Sequence, residues 1–313
     1  MAQALPGVFG ACEDLSVARM STTTPPKTSS GQSLLVEVLR QRGRSASRTA
    51  LMEWLFLLAR ETSWGQANSP YDFVPYRFGP FSFLAYRDLA KLAEAGVIGQ
   101  GGEHLRLAPG TPPGLPDAED AVREVLSRYG RRSSDWLLAY TYREYPFYAI
   151  LAERSDLLRE RPARCLAAPA VYTVGYSGSN LDGFLCNLLL AELAGVVDVR
   201  HDPVSRVYGF GAHTLAGHLA RLGLEYVPHP ELGIPSEERK GATTPADRDA
   251  IFRRYRHRLH HALSRAVTNL ASLMRGRPVA LMCAEREPAE CHRAVLADAL
   301  AAATRLPVRH LYA

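Results

Sequence analysis

The densest set of reactive side chains lies between Cys283 and Arg293: two thiols (Cys283, Cys291), three carboxylates (Glu285, Glu287, Glu290), the imidazole of His292 and the guanidinium of Arg293. A thiol beside an imidazole and a guanidinium can ionise early and act as a nucleophile. A carboxylate such as Glu285 can activate water or stabilise developing positive charge. The apolar run Val279–Met282 precedes Cys283 and reads as a strand buried on both faces. A helix is expected from 294 to 303, with Val295, Leu296 and Leu300 inward. The order is therefore strand, charged loop, helix, and open α/β sheets bind ligands in the loops beyond the strand carboxyl ends. A plainer reading stands beside this one. A cysteine at a strand end often serves as a small buried hydrophobe, and Glu287 and Glu290 can simply favour the start of the next helix.

Other stretches aim polar groups at the same edge. Tyr172–Tyr176, Val196–Arg200, Glu225–Pro228 and Val308–Tyr312 read as strands separated by helical segments. That alternation predicts an α/β domain, a Rossmann-like parallel sheet with helices on both faces. Its strand ends collect Tyr176 and Ser177, Asp198 and Arg200, His229 and Glu231, and Cys283 and Glu285. Asp198, Glu285, Cys283 and Tyr176 are the candidate catalytic residues. Ser177, Arg200, Ser205, Arg206, Phe210, Glu231, Cys291, His292 and Arg293 are expected to line the substrate cleft. Tyr176 or Phe210 can stack on an extruded base, with Arg200, Arg206 and Arg293 on flanking phosphates. Asp198 inside an apolar strand is costly unless paired, so a structural bond to Arg200 is its other reading. The turn Ser177–Asn180 lacks both a dinucleotide fingerprint and a P-loop lysine. No metal position is expected, because Cys283 and Cys291 do not form a C-x-x-C pair. Mg2+ enters only if the reaction is phosphodiester cleavage, through Asp198, Asp202 and Glu285.

The chain has 313 residues, enough for two domains, and a formal charge of +5. Mild basicity is compatible with a nucleic-acid partner. Five cysteines without paired spacing suggest a reducing, cytoplasmic setting. No apolar run of about 18 residues is present, so no membrane span is expected.

Residues 1–32 are rich in Ser, Thr and Pro and read as a disordered lead-in. Residues 33–108 read as three helices and a β-hairpin, the parts of a winged helix-turn-helix domain of α+β type. Between the second and third helices runs Tyr71-Asp72-Phe73-Val74-Pro75-Tyr76-Arg77-Phe78-Gly79-Pro80-Phe81-Ser82, an aromatic loop. Arg44, Arg48, Arg77, Arg87, Lys91 and Arg106 offer themselves to phosphates. Residues 109–165 read as a linker followed by bridging helices, with an aromatic cluster around Pro146 that either stacks on bases or packs in a core. From Pro245 a single long helix is expected, with Ile251, Tyr255, Leu259, Leu263, Val267 and Leu270 inward. Its outer face carries Arg254 and Arg258 among many other basic residues and is a second candidate polyanion surface.

Two resemblances follow from these residues. Tyr71–Ser82, with Leu89 and the Ala95-Gly96-Val97-Ile98 turn, resembles the winged-helix modules of the SocA-like, phage-associated group, over 33–108. That resemblance implies a winged helix and a nucleic-acid or protein partner. The segment 166–313 resembles a family known as a domain of unknown function, DUF488. The likeness is carried by Thr173-Val174-Gly175-Tyr176, Val197-Asp198-Val199-Arg200 with Ser205-Arg206 and Phe210, Glu231-Leu232-Gly233, and Cys283-Ala284-Glu285 with Cys291-His292-Arg293. It implies a Rossmann-like fold with a site at those positions, and no particular reaction. The expected function is an enzyme acting on nucleic acid, DNA rather than RNA. The winged helix would dock the duplex and the cleft would hydrolyse the N-glycosidic bond of a damaged or modified base. A metal-dependent nuclease, a thiol mechanism through Cys283 and His292, and a non-enzymatic regulator with a small-ligand cleft are the alternatives.

Overall fold

The computed structural model describes residues 28–101, 104–160 and 162–312. Of the expected lead-in, residues 1–27 lie outside this description, and so does Gly102 in the hairpin turn.

The N-terminal part begins with α1 (Ser30–Gln41), β1 (Ser45–Ser47), α2 (Arg48–Glu61) and the short α3 (Ser63–Asn68). A two-stranded hairpin follows, β2 (Val74–Tyr76) and β3 (Gly79–Phe81). Then come α4 (Phe83–Glu94), β4 (Ile98–Gly101) and β5 (His104–Leu107). Serine hydroxyls open the three longer helices: Ser29, Ser47 and Ser82 each accept a first-turn backbone N–H. The strands form an antiparallel sheet of order β1-β5-β4. Leu34, Leu35, Leu51, Leu55, Leu89 and Leu105 fill the core between helices and sheet.

Two local expectations are corrected. Tyr71–Ser82 is not a plain loop, because Val74–Tyr76 pairs with Gly79–Phe81 around a turn that holds Gly79 at φ 93°. The strand Ser45–Ser47 and the helix α3 were too short for any periodicity to announce. The helices α5 (Glu119–Tyr129) and α6 (Ser134–Glu144), read as a bridge, pack into the first core through Val122, Val125 and Leu137. Tyr129 and Tyr142 are buried, whereas Trp136 is exposed and stacks on Tyr140. Tyr129, Tyr140 and Tyr145 all donate to the Glu61 carboxylate, at 2.6, 3.1 and 3.2 Å.

The C-terminal part holds β6 (Val171–Gly175), α7 (Leu181–Leu190), β7 (Gly195–Asp198), α8 (Ala212–Arg221), β8 (Glu225–Pro228) and the short α9 (Ser236–Arg239). It continues with α10 (Pro245–His260), α11 (Ser264–Gly276), β9 (Val279–Cys283), α12 (His292–Thr304) and β10 (Val308–Tyr312). The five strands are all parallel, in the order β10-β6-β9-β7-β8. Residues of α7 and α8 cover one face of the sheet; those of α10, α11 and α12 cover the other. The single long helix expected from Pro245 is two helices. His261 leaves the helical region at φ −119°, ψ −90°, without a proline or glycine to mark the break. Ile251, Tyr255 and Leu259 before it, and Val267 and Leu270 after it, join the same core. The apolar stripe therefore runs across the break and conceals it.

The two parts meet at the start of α4. Asp182, buried in the first turn of α7, accepts from the backbone N–H of Phe83 (2.8 Å) and Leu84 (3.0 Å) and from the Ser82 hydroxyl (2.9 Å). Val74 and Phe83 are buried within the core of the second part.

Candidate functional site

Strand alternation decides how the polar groups of the sheet's carboxyl edge are shared out. In β9, Ala280 and Met282 face α7 and α8, whereas Val279, Leu281 and Cys283 face α10–α12. In β7, Asp198 pairs in register with Met282 and so shares the α7–α8 side. The single cleft expected from the sequence is therefore two clusters, one on each face of the sheet.

The first cluster is closed. Asp198 is 1% exposed and Arg200 6%. The Arg200 side chain donates to both Asp198 carboxylate oxygens, Nε at 2.9 Å and Nη2 at 2.6 Å, and its backbone N–H adds a third bond at 3.1 Å. The Tyr226 hydroxyl donates to the same carboxylate at 2.6 Å, and Arg200 Nη1 reaches the Phe210 carbonyl and the Tyr176 hydroxyl. Burial and the adjacent Asp198 carboxylate push the Tyr226 hydroxyl well above its ordinary range. Tyr176 and Phe210 stack on each other, centroids 4.2 Å apart and planes 12° from parallel. This geometry corrects four site expectations. Asp198 has both carboxylate oxygens satisfied as acceptors and no open approach. Arg200 spends its guanidinium inside the protein, and neither Tyr176 nor Phe210 has a face free for a base. Of the residues named for Mg2+, Asp198 is the one enclosed by these donors.

The second cluster is open. Glu285 Oε2 lies 3.0 Å from Cys283 Sγ and 3.1 Å from Cys291 Sγ. His292 Nδ1 stands 3.9 Å from each sulfur. His292 Nε2 lies 2.9 Å from the Val199 carbonyl, which can only accept, so Nε2 carries a proton. Among the described residues, Cys283, Cys291 and His292 are the one group whose ligand atoms could share an ion, all lying within 4.8 Å of one another. No metal position is expected from the sequence spacing; in the fold the loop of 284–290 doubles back on the strand end and brings these three ligand atoms together. Glu285, Cys291 and His292 open onto a cavity of about 420 Å³, walled also by Arg239, Thr243, Thr244, Arg248 and Phe252.

The electrostatics of this cluster are coupled. Burial pushes the Cys291 thiol up, but the bond from Cys283 and the neighbouring His292 outweigh it and bring Cys291 down to about 6. Cys283 is held well above its ordinary value, first by its bond to Cys291 and then by burial. Burial also raises Glu285, yet the two thiol bonds leave it net below the usual carboxylate range. The two thiols, the Glu285 carboxyl and the His292 ring therefore titrate as one coupled group.

The remaining expected residues scatter. Arg293 is fully buried and donates to the carbonyls of Glu285 and Arg286, the latter at 2.7 Å, so it holds the loop's shape instead of a phosphate. Ser177 gives its N–H to the Ala284 carbonyl at 2.8 Å. Ser205 lies against the Tyr176 hydroxyl at 3.5 Å, Arg206 is exposed, and Glu231 is tied to His229 at 2.7 Å. Gly175 makes the convergence possible, because a Cβ there would stand 1.8 Å from the Glu285 carbonyl oxygen. Arg239 and Arg248 were missed as site residues: Arg239 stood in a loop whose charges looked solvated, and Arg248 belonged to the helix face read as a general polyanion surface. The Thr243-Thr244-Pro245 helix start was the only sequence signal for that wall.

Of the expected nucleic-acid contacts, Arg87 pairs with Asp88 at 3.2 Å and stacks over the Tyr208 ring at 4.2 Å. Arg77 pairs with Glu153 at 3.3 Å, Arg258 with Glu238, and Arg44 turns to the carbonyls of Leu107 and Ala108. Arg48 is half-buried. Lys91, Arg106 and Arg254 stand exposed. No helix is long and apolar enough to cross a membrane among the described residues.

Residues 181–300 match the family model described as Domain of unknown function DUF488. The match runs from the start of α7 into α12 and so takes in the second cluster and, Tyr176 apart, the first. No curated protein matches the sequence.

Proposed function

We propose that this protein is a hydrolase acting on nucleic acid, with its reaction in the cavity beside Glu285. One observation carries this reading. The Glu285 side chain, 34% exposed and held ionised, faces a cavity whose far wall carries Arg239, 3.9 Å from Glu285 Oε1, and Arg248. Glu290 also lines the cavity and lies 3.8 Å from Arg248, so phosphate would be bound by two guanidiniums that each already face a carboxylate. A carboxylate with a lowered pKa is a weak base. It serves best where positive charge grows on the substrate, as on the sugar when an N-glycosidic bond breaks. Glu285 would hold the attacking water through Oε1 and stabilise the cationic sugar, while Arg239 and Arg248 bind a flanking phosphate.

The N-terminal part supports a docking role. Three helices on a β1-β5-β4 antiparallel sheet have the makeup of a winged helix, and Arg106 and Lys91 stand exposed on it. The test is to incubate the full chain with duplexes carrying a panel of modified bases and to score abasic sites. Glu285→Gln should lower the rate at least about 100-fold, the usual scale for a positioned acid–base group. Absence of abasic sites on every duplex, or an unchanged rate in the variant, would refute the reading.

A further inference from the structure

We propose that Cys283, Cys291 and His292 form the binding site of one thiophilic divalent cation, Zn2+ in the first place. The two thiols and the imidazole come from separate elements, the end of β9 and the start of α12, yet their ligand atoms lie within 4.8 Å of one another. Tetrahedral Zn2+, with bonds of about 2.3 Å to sulfur and 2.0 Å to nitrogen, holds neighbouring ligand atoms roughly 3.5–3.8 Å apart. The observed 3.9 Å from His292 Nδ1 to each sulfur needs only a few tenths of an ångström of adjustment. The imidazole is also held in the orientation such a ligand requires. Nε2–H is anchored on the Val199 carbonyl, so in the neutral ring Nδ1 is the nitrogen that turns its lone pair towards the sulfurs.

The three residues are 4%, 1% and 7% exposed, and both cysteines belong to the apolar core on this face of the sheet, yet their sulfurs also meet the Glu285 carboxylate. Glu285 Oε2 occupies the fourth corner at 3.0 and 3.1 Å from the sulfurs, and the cavity offers the ion an entry route. Two sulfurs and a nitrogen select Zn2+ over Mg2+, which demands an octahedron of oxygens. On binding, any proton still held by Cys283, Cys291 or His292 Nδ1 is released to solvent, and both sulfurs coordinate as thiolates. If the hydrolase reading holds, the ion adds a Lewis acid beside the cavity, with Glu285 either its fourth ligand or the partner of a water in that position.

The experiment uses the full chain, stripped with a chelator, reduced with a non-thiol reductant and titrated with Co2+. The expected result is one Co2+ per chain, with thiolate-to-cobalt charge transfer and the intense visible bands of a tetrahedral centre, both abolished by Zn2+. Cys283→Ser and Cys291→Ser should each weaken binding at least tenfold and dim the charge-transfer band, whereas Cys165→Ser, at an exposed position, should change neither. Absence of a charge-transfer band in the wild-type chain at millimolar Co2+ would overturn the proposal. So would a Cys283–Cys291 disulfide that persists under the reductant. The wild-type spectrum decides the matter even if a variant fails to fold. It needs no substrate, so it can fail while hydrolysis through Glu285 stands, or succeed while hydrolysis is absent.

Discussion

Asp198 separates a structural account of this edge of the sheet from a catalytic one. Replacing it with alanine removes the acceptor of four bonds, three from Arg200 and one from Tyr226. The guanidinium of Arg200 is then left 6% exposed without its counter-charge. Breaking a buried pair in this way costs about 3–5 kcal/mol. For a unit of 150–250 residues each kcal/mol is worth roughly 2–4 °C, so Asp198→Ala should melt roughly 6–20 °C below the parent. The double variant Asp198→Leu with Arg200→Met removes both charges together. It should recover at least half of that loss, because replacing an entire buried pair by apolar groups is often neutral. The assay is denaturant unfolding of the two variants and the parent at neutral pH. A catalytic Asp198 predicts the reverse pattern: a variant within about 1 kcal/mol of the parent in stability, the ordinary scale of a single change, but without activity. That outcome would refute a structural role for the Asp198–Arg200 pair.

Two further changes probe the frame of the site. Glu53 is buried among α2, α6 and the β2–β3 hairpin, and burial, partly offset by its bond to Thr141, raises its pKa to about 8. Between the unfolded value near 4.5 and about 8 the native state keeps a proton that the unfolded chain has lost. Stability should therefore fall as pH rises through that window, by up to about 1.4 kcal/mol per unit. Glu53→Gln should flatten the slope in urea unfolding at pH 5 and 7.5, and an unchanged slope would exclude Glu53 as its source. Gly175→Ala forces a Cβ into the Glu285 carbonyl and should cost about 1–3 kcal/mol, as overpacking does. Because the same loop carries Glu285, it should also weaken Co2+ binding; normal affinity at normal stability would show that the loop adapts freely.

Much of the C-terminal architecture was legible because its strands are short apolar runs and its helices carry apolar stripes. The cluster Cys283, Glu285, Cys291 and His292 was legible as chemistry, since so many reactive groups rarely share one loop by packing needs alone. Its separation from Asp198 was not legible. Alternation within β7 or β9 fixes two faces for each strand, but only the register Asp198–Met282 shows which faces coincide. The metal-like convergence was hidden because seven residues separate the cysteines and the loop between them doubles back. The helix break at His261 left no trace, as the stripe continues in phase on both sides.

The carboxylate of Asp182 has a consequence for any duplex approaching the N-terminal part. The first turn of α4 is a natural seat for a phosphate, and an internal competitor already sits in it, tethered to the same chain. If that contact is worth about 3 kcal/mol, the vacant form is about one molecule in a hundred. A phosphate arriving from outside would then feel an affinity for this helix diluted about a hundredfold. Contact with a backbone would fall by default to the strands β4 and β5, where Arg106 stands in the open.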